Sequence, residues 1–322
     1  MRVRLADLSV LLESEAEGVQ EEWARLFAGW ECAAEPEIAL TLQQAGRLPP
    51  LPELPPVYAD DRGIVDVYLE GREYLLHFHD GALVRLYQDR AEGVVLDTAL
   101  GNGRLEDVTL TSLAPMLRAR GYYLLHAFAA THDGEAVLIS GSSGSGKTTS
   151  GASLLLGGWR YLANDAVLLQ QRDGAVFALP TPGYLQVRPP TLFLLPALRH
   201  RRGYPHAATA SYIFPAASVA DGGWGEPGPV RALYFPQIER GLETSEVQPL
   251  EKAVALARLV DESVDRWDTG ALTVVVLFFR DLPQQTYREW RNALPHDELA
   301  RWLLADPAAI PALAAALREA AP

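Results

Sequence analysis

Apolar side chains recur at helix-like spacing through residues 8–30, and that pattern predicts a helix. The next stretch, 46–57 (GRLPPLPELPPV), cannot sustain one, because proline lacks the backbone N–H and clashes with the preceding turn. It reads as an extended segment with packed leucines, the other reading being a polyproline ligand for a partner module. From residue 64 the pattern changes to strands. Ile64–Leu69, Tyr74–His79 and Ala82–Tyr87 are divided by the turn signals Glu70-Gly71 and Asp80-Gly81. His77 and His79 lie two apart and so share a strand face. A metal site is conceivable, but no third ligand is evident nearby, and a surface or half-buried pair is the preferred reading.

Residues 108–120 predict a helix that stops at Gly121. Strands follow at Tyr122–Ala130 and Glu135–Ser140, joined by a tight Asp133-Gly134 turn. Thr149–Leu156 reads as a helix ending at Gly157-Gly158. Tyr161–Gln170 and Ala175–Leu179 read as strands about Asp173-Gly174. Residues 203–229, rich in Gly, Pro and Ala, predict an irregular loop, of the kind used as a lid or binding segment or equally a disordered insertion. Val230–Pro236 and Ala271–Phe279 predict strands; Leu250–Glu262 and Ala308–Ala320 predict helices. No internal repeat is evident. The expected fold class is α/β: an N-terminal α+β domain over 1–118, then a second domain over 119–322 with a mixed sheet.

Composition narrows the function. The chain has 322 residues, 48% of them hydrophobic, which suffices for a sizeable core. Its 41 acidic and 28 basic residues give a net charge of −13, which disfavours nucleic acid and anionic lipid as partners. Cys32 is the single cysteine, so an internal disulfide is impossible. The longest apolar run, Leu272–Phe279 with one Thr, is too short to span a bilayer, and the N-terminus lacks the apolar stretch of a signal peptide. A soluble, cytoplasmic protein is expected. Whether it forms a homo-oligomer is left open.

One motif carries chemistry. Gly141-Ser142-Ser143-Gly144-Ser145-Gly146-Lys147-Thr148 matches G-x-x-x-x-G-K-[ST] at every position, between an apolar strand and a helix. Glycines let backbone N–H groups turn inward as an anion nest, and the following helix, which begins near Thr149, points its positive end at phosphate. Lys147 supplies a cation for the β- and γ-phosphates, and Thr148 a hydroxyl for the metal. ATP with Mg²⁺ is the expected ligand. Two carboxylates compete as second metal partner. Asp281 follows the strand predicted at Leu272–Phe279, as a Walker-B Asp would. Asp165 sits among apolar strand residues, where a carboxylate needs a cation or donor, and is favoured.

The order of these residues resembles a known family. His126-Ala127, then Val137 through Thr148, then Gly158-Trp-Arg-Tyr-Leu-Ala-Asn-Asp165-Ala-Val resembles the catalytic core of the HPr kinase/phosphorylase family, itself similar in fold to ATP-dependent phosphoenolpyruvate carboxykinase. The resemblance covers roughly residues 120–190. It implies a P-loop domain of that type and γ-phosphoryl transfer to a serine-type hydroxyl of a protein, peptide or small molecule. It also implies an active-site role for His126 and metal binding by Asp165. The family's first Asp, its general base, is Asn164 here, and a neutral amide accepts no proton at ordinary pH. The family's C-terminal phosphorylase signature is not found. Arg188 and the Arg199-His200-Arg201-Arg202 cluster are candidates for steadying transferred charge or docking an acidic acceptor. Three functions stay open: a kinase, a nucleotide-binding regulator without transfer, and an ordinary P-loop ATPase using Asp281.

Overall fold

The computed structural model describes residues 1–60, 63–101, 103–205, 211–220, 223–239 and 246–293. The helix expected at Ala308–Ala320 lies outside the described residues. The architecture is mixed α/β, built on two large sheets and one small one.

The first sheet uses β1 (Arg2–Leu5), β2 (Leu8–Glu13), β3 (Ile38–Gln44), β4 (Tyr58–Ala59), β5 (Val65–Glu70), β6 (Glu73–Phe78), β7 (Ala82–Leu86) and β8 (Arg90–Val95), in the order β1-β2-β3-β8-β7-β6-β5-β4. Alternate residues such as Val10, Leu40, Val67, Leu76 and Val84 bury one face. The helix expected across 8–30 is therefore half strand: residues 8–13 form β2, and α1 spans only Glu17–Leu26. Helix α2 (Arg104–Arg118) covers the buried face beside α1, and Trp23 Nε1 donates to Thr109 Oγ1 at 2.9 Å between them. Nine of the fifteen α2 residues are buried, because the second sheet closes over its far side through Tyr122, Leu124 and Leu168. The proline-rich stretch is extended, but Leu51 and Leu54 are exposed rather than packed. Leu48 makes the contact there, against Tyr68, Leu75 and Leu83 on the sheet's outer face.

The second sheet begins with β9 (Tyr122–Leu125), β10 (Ala127–His132) and β11 (Glu135–Ser140). Helix α3 (Lys147–Leu156), β12 (Arg160–Ala163), β13 (Val167–Arg172) and β14 (Ala175–Leu179) follow. A small separate sheet of β15 (Tyr184–Val187), β16 (Tyr204–Pro205) and β17 (Tyr212–Pro215), with α4 (Pro189–Leu194) and α5 (Ala216–Val219), organises part of the expected loop over 203–229. The main sheet resumes at β18 (Gly228–Glu239) and β19 (Glu246–Pro249), then α6 (Lys252–Asp261), α7 (Thr269–Phe279) and β20 (Tyr287–Ala293) complete it. Its path is β12-β10-β11-β18-β14-β13-β9; the β11–β18 and β18–β20 pairs are parallel and the others antiparallel.

Residues 271–279, expected as a strand, are the body of α7. Asp268 starts that helix by accepting from the Gly270 N–H at 2.8 Å. None of the described helices is long and apolar enough to cross a membrane.

Side chains tie the two sheets together. Arg118 on α2 donates to Asp265 at 2.7 Å and to Asp268 at 2.5 Å. Arg266 donates to Asp60 and to the Tyr58 hydroxyl. Trp30 meets Trp224 edge-to-face at 5.3 Å, and Trp224 meets Tyr161 at 5.0 Å.

Candidate functional site

The site arises where two neighbouring strands break at the same level. The single strand expected over 122–130 is two, with His126 at the break between β9 and β10. The one expected over 161–170 is also two, with Asn164, Asp165 and Ala166 at the break between β12 and β13. Because β9 pairs with β13 and β10 with β12, the breaks face each other. Freed from the alternation of a continuous strand, both side chains turn into one cleft. Asp165 has φ +62°, a left-handed conformation that Asp tolerates better than most residues and that is held here by its surroundings.

Asp165 Oδ1 lies 3.8 Å from His126 Nε2. On the other side of the ring, Nδ1 is 2.6 Å from Glu262 Oε2, and the Glu262 carbonyl accepts the His126 backbone N–H at 2.8 Å. Glu262, at the end of α6, therefore fixes the ring and favours the proton on Nδ1. Burial pushes the His126 pKa down, but the Asp165 and Glu262 carboxylates outweigh it and leave the imidazole above its ordinary value. Asp165 is ringed by protein, yet 47% of its side-chain surface opens to the cleft. Burial pushes its pKa up, while His126, Lys147 and the Asn164 amide together hold it below the usual value. Asn164 is itself buried: its Nδ2 donates to Asp165 Oδ2 at 2.7 Å and to the Tyr184 carbonyl at 3.1 Å. Its observed work is to hold Asp165.

The phosphate-loop motif lies between β11 and α3. Gly146 starts α3 at φ +101° and, having no side chain, leaves the first turn without a side-chain cap; no acidic residue lies in that turn either. Its positive end thus faces the loop unopposed by the protein. Lys147 is 7% exposed, and Nζ donates to the carbonyls of Gly141 at 2.5 Å and Ser142 at 3.3 Å. The Thr149 and Thr191 hydroxyls meet at 2.6 Å. Gly151 lets α3 sit on β10: a Cβ there would lie 2.5 Å from the Phe128 ring.

Two cavities flank the loop and share Ser143 and Gly144 as a wall. One, of about 570 Å³, brings together His126, Lys147, Thr148, Thr149, Asp165 and Arg188. The other, of about 1010 Å³, is lined by Gly141 through Ser145, Tyr58, Ala59, Glu262 and Arg266. Arg188 is thus at the site. The 199–202 cluster lines neither cavity, and Arg199 Nε donates to the Leu192 carbonyl at 3.0 Å. Asp281 lies just beyond α7, with its side chain 69% exposed and paired to Arg280, and lines neither cavity. The strand that would have made it a Walker-B residue is a helix.

Three acidic residues had no signal in the sequence. Glu262 is 136 positions from His126. Glu106 and Asp107, in the first turn of α2, read as ordinary helix-start acids. Burial first, then Asp107 and Asp165, raise the Glu106 carboxyl well above its usual value; Asp107 is also raised, by burial and Asp165, although Arg104 opposes the shift. The start of α2 thus lies within electrostatic reach of Asp165.

No family model matches this sequence, and no curated protein matches it. Among solved structures, the chain aligns with the Hpr(Ser) kinase/phosphatase from Coxiella burnetii at 14% identity. The alignment covers 39% of this chain and 72% of that one, with a TM-score of 0.24.

Proposed function

We propose that this protein is an ATP- and magnesium-dependent kinase that passes the γ-phosphoryl group to a serine-type hydroxyl of a protein, peptide or small molecule. The observation that carries the reading is the convergence of His126, Lys147, Thr148 and Asp165 on one cavity from three separate stretches of chain. The loop suits a triphosphate: the first turn of α3 is uncapped, and the Ser145 hydroxyl is buried without a hydrogen-bond partner among the described residues.

In this reading the loop amides and Lys147 hold the β- and γ-phosphates, and Thr148 with Asp165 holds the metal. Bound Mg·ATP supplies the transferable phosphoryl group and a cation that draws off charge. His126, with Nδ1 engaged by Glu262, presents Nε2 to accept the proton of the attacking hydroxyl. Were Asp165 to hold the metal, one influence raising the His126 pKa would be lost, and more of the imidazole would stand unprotonated near neutral pH to accept that proton. Arg188 neutralises charge on the transferred group.

The test is transfer of label from γ-labelled ATP into a lysate and into the chain itself, with Lys147→Ala as control. Label should appear in an acceptor with the native protein and vanish with Lys147→Ala, which should also lose its ATP-dependent rise in melting temperature. Asp165→Asn should suppress transfer severely and Asp281→Asn leave it near normal; the opposite ranking would favour an ordinary P-loop ATPase. Asn164 in the base position favours a second reading, a nucleotide-binding regulator. Tight ATP binding without labelling of any acceptor would establish it.

A further inference from the structure

We propose that the outer face of the first sheet carries a transition-metal site of the zinc class, formed by Asp66, His77 and His79. It is independent of the nucleotide cleft. One ligand atom from each of the three residues lies within 4.8 Å of the other two. The sheet dictates this grouping. Asp66 on β5 is the direct cross-strand partner of His77 on β6, and His79 lies two residues further along the same face. The sequence showed two histidines and no third ligand, because pairing across the hairpin supplies the carboxylate from eleven positions upstream of His77.

Three observations favour a cation over a chance cluster. The His77 Nδ1 atom is buried and meets no hydrogen-bond partner among the described residues, a state that a protein interior ordinarily avoids. The two imidazole rings stand 5.2 Å apart between centroids and are tilted by 43°, so two basic nitrogens are held side by side. His79 Nε2 and Asp66 Oδ2 are hydrogen-bonded at 2.9 Å, close to the roughly 3.3 Å between two ligands of a tetrahedral ion with bonds of about 2.0 Å, so a cation can take the place of the shared proton with little movement. The Asp66 side chain is 19% exposed while His79 opens to solvent at 39%, and the apolar group of Leu48, Tyr68, Leu75 and Leu83 occupies the same outer face.

The ligand set selects the ion. Two imidazoles and one carboxylate suit Zn²⁺ and its neighbours in the first transition row rather than Mg²⁺ or Ca²⁺, which take oxygen ligands. Three protein ligands leave a fourth position for water or an added ligand. A cation here clasps β5 to the end of β6. Asp66 also pairs with Ala59 on β4, and Ala59 lines the larger cavity beside the phosphate loop, so the clasp lies one strand from the cleft.

Zn²⁺ titration of the tag-free full chain, read by competition with a chromogenic chelator, tests the proposal. One ion per chain is expected to bind in the micromolar range or tighter. His79→Gln and Asp66→Asn should each weaken it at least about tenfold, the loss that even an outer hydrogen-bonding partner of a metal ligand typically brings. Both keep side-chain volume, and unchanged circular dichroism in the absence of metal verifies that they fold. Asp165→Asn and Lys147→Ala should bind Zn²⁺ as the native chain does, which separates this site from the nucleotide cleft. Absence of stoichiometric Zn²⁺ binding would overturn the proposal. So would binding that survives His79→Gln and Asp66→Asn.

Discussion

His126 is the residue on which the proposed chemistry turns, and Glu262 is what gives it direction. A histidine between two carboxylates holds its proton more tightly than a free one, so the acidic limb of kcat/KM against pH, which reports the free enzyme, should sit above the ordinary imidazole value. Glu262→Gln removes one of the two raising influences. Its acidic limb should move to lower pH, and its plateau should fall as the ring loses its anchor, by up to the roughly 10²–10⁴-fold that general-base help is worth. Label transfer measured between pH 5 and 9 checks both effects; an unmoved limb would exclude His126 as the base. At this scale the sequence was partly readable. Lys147, Thr148 and Thr149 follow from one motif, and His126 and Asp165 from their order beside it. Glu262, Glu106 and Asp107 were not readable, because nothing local distinguishes a carboxylate that folding brings near His126 or Asp165 from one that stands apart.

At the scale of elements, hairpins were legible and long apolar runs were not. The strands β5, β6 and β7 were visible because alternation and Asp-Gly-type turns are encoded locally. The run 271–279 has no periodicity, and such a run fits a buried strand or a helix equally. The signal that decides it is Asp268, a helix-starting residue one position before α7. The two broken strands were missed for a different reason. His126 and Asp165 interrupt sequences that still look apolar on both sides, and only a left-handed Asp shows where the ladder stops. The seat of α3 on β10 permits a direct test. In Gly151→Ala the new methyl would meet the Phe128 ring at 2.5 Å, and overpacking of this kind typically costs about 1–3 kcal/mol. The better helix propensity of Ala returns about 1 kcal/mol. A net loss of stability is expected in urea denaturation, with weaker ATP binding as the loop shifts; a neutral result would mean that α3 moves freely on the sheet.

At the scale of the molecule, the two large sheets are joined by charge as well as by apolar contact. Asp265 is 1% exposed and relies on Arg118. Burial, then the neighbouring Asp268, lift its pKa above the usual value even though the guanidinium opposes them. A carboxyl raised on folding favours the folded state below its unfolded pKa, near 4, and loses that benefit as pH rises through its folded pKa. Arg118→Met should raise it further. The variant's deficit should therefore be small near pH 4.5 and grow toward pH 8, approaching the roughly 3–5 kcal/mol of an unpaired buried charge. Urea midpoints at the two pH values decide it; a deficit independent of pH would mean that Asp265 finds another partner.

The contact between Trp30 and Trp224 has a consequence for light rather than for energy. Two indoles meeting edge-to-face at 5.3 Å are close enough for their excited states to mix. Mixing splits their ultraviolet transitions into a pair of circular-dichroism bands of opposite sign. Trp30 belongs to the part of the chain that builds the first sheet, and Trp224 touches Tyr161 of the second. The paired bands should be present in the native protein and absent in Trp30→Phe. Their decay during denaturation should mark the moment at which the two sheets part, so the protein reports its own separation optically, without an added dye.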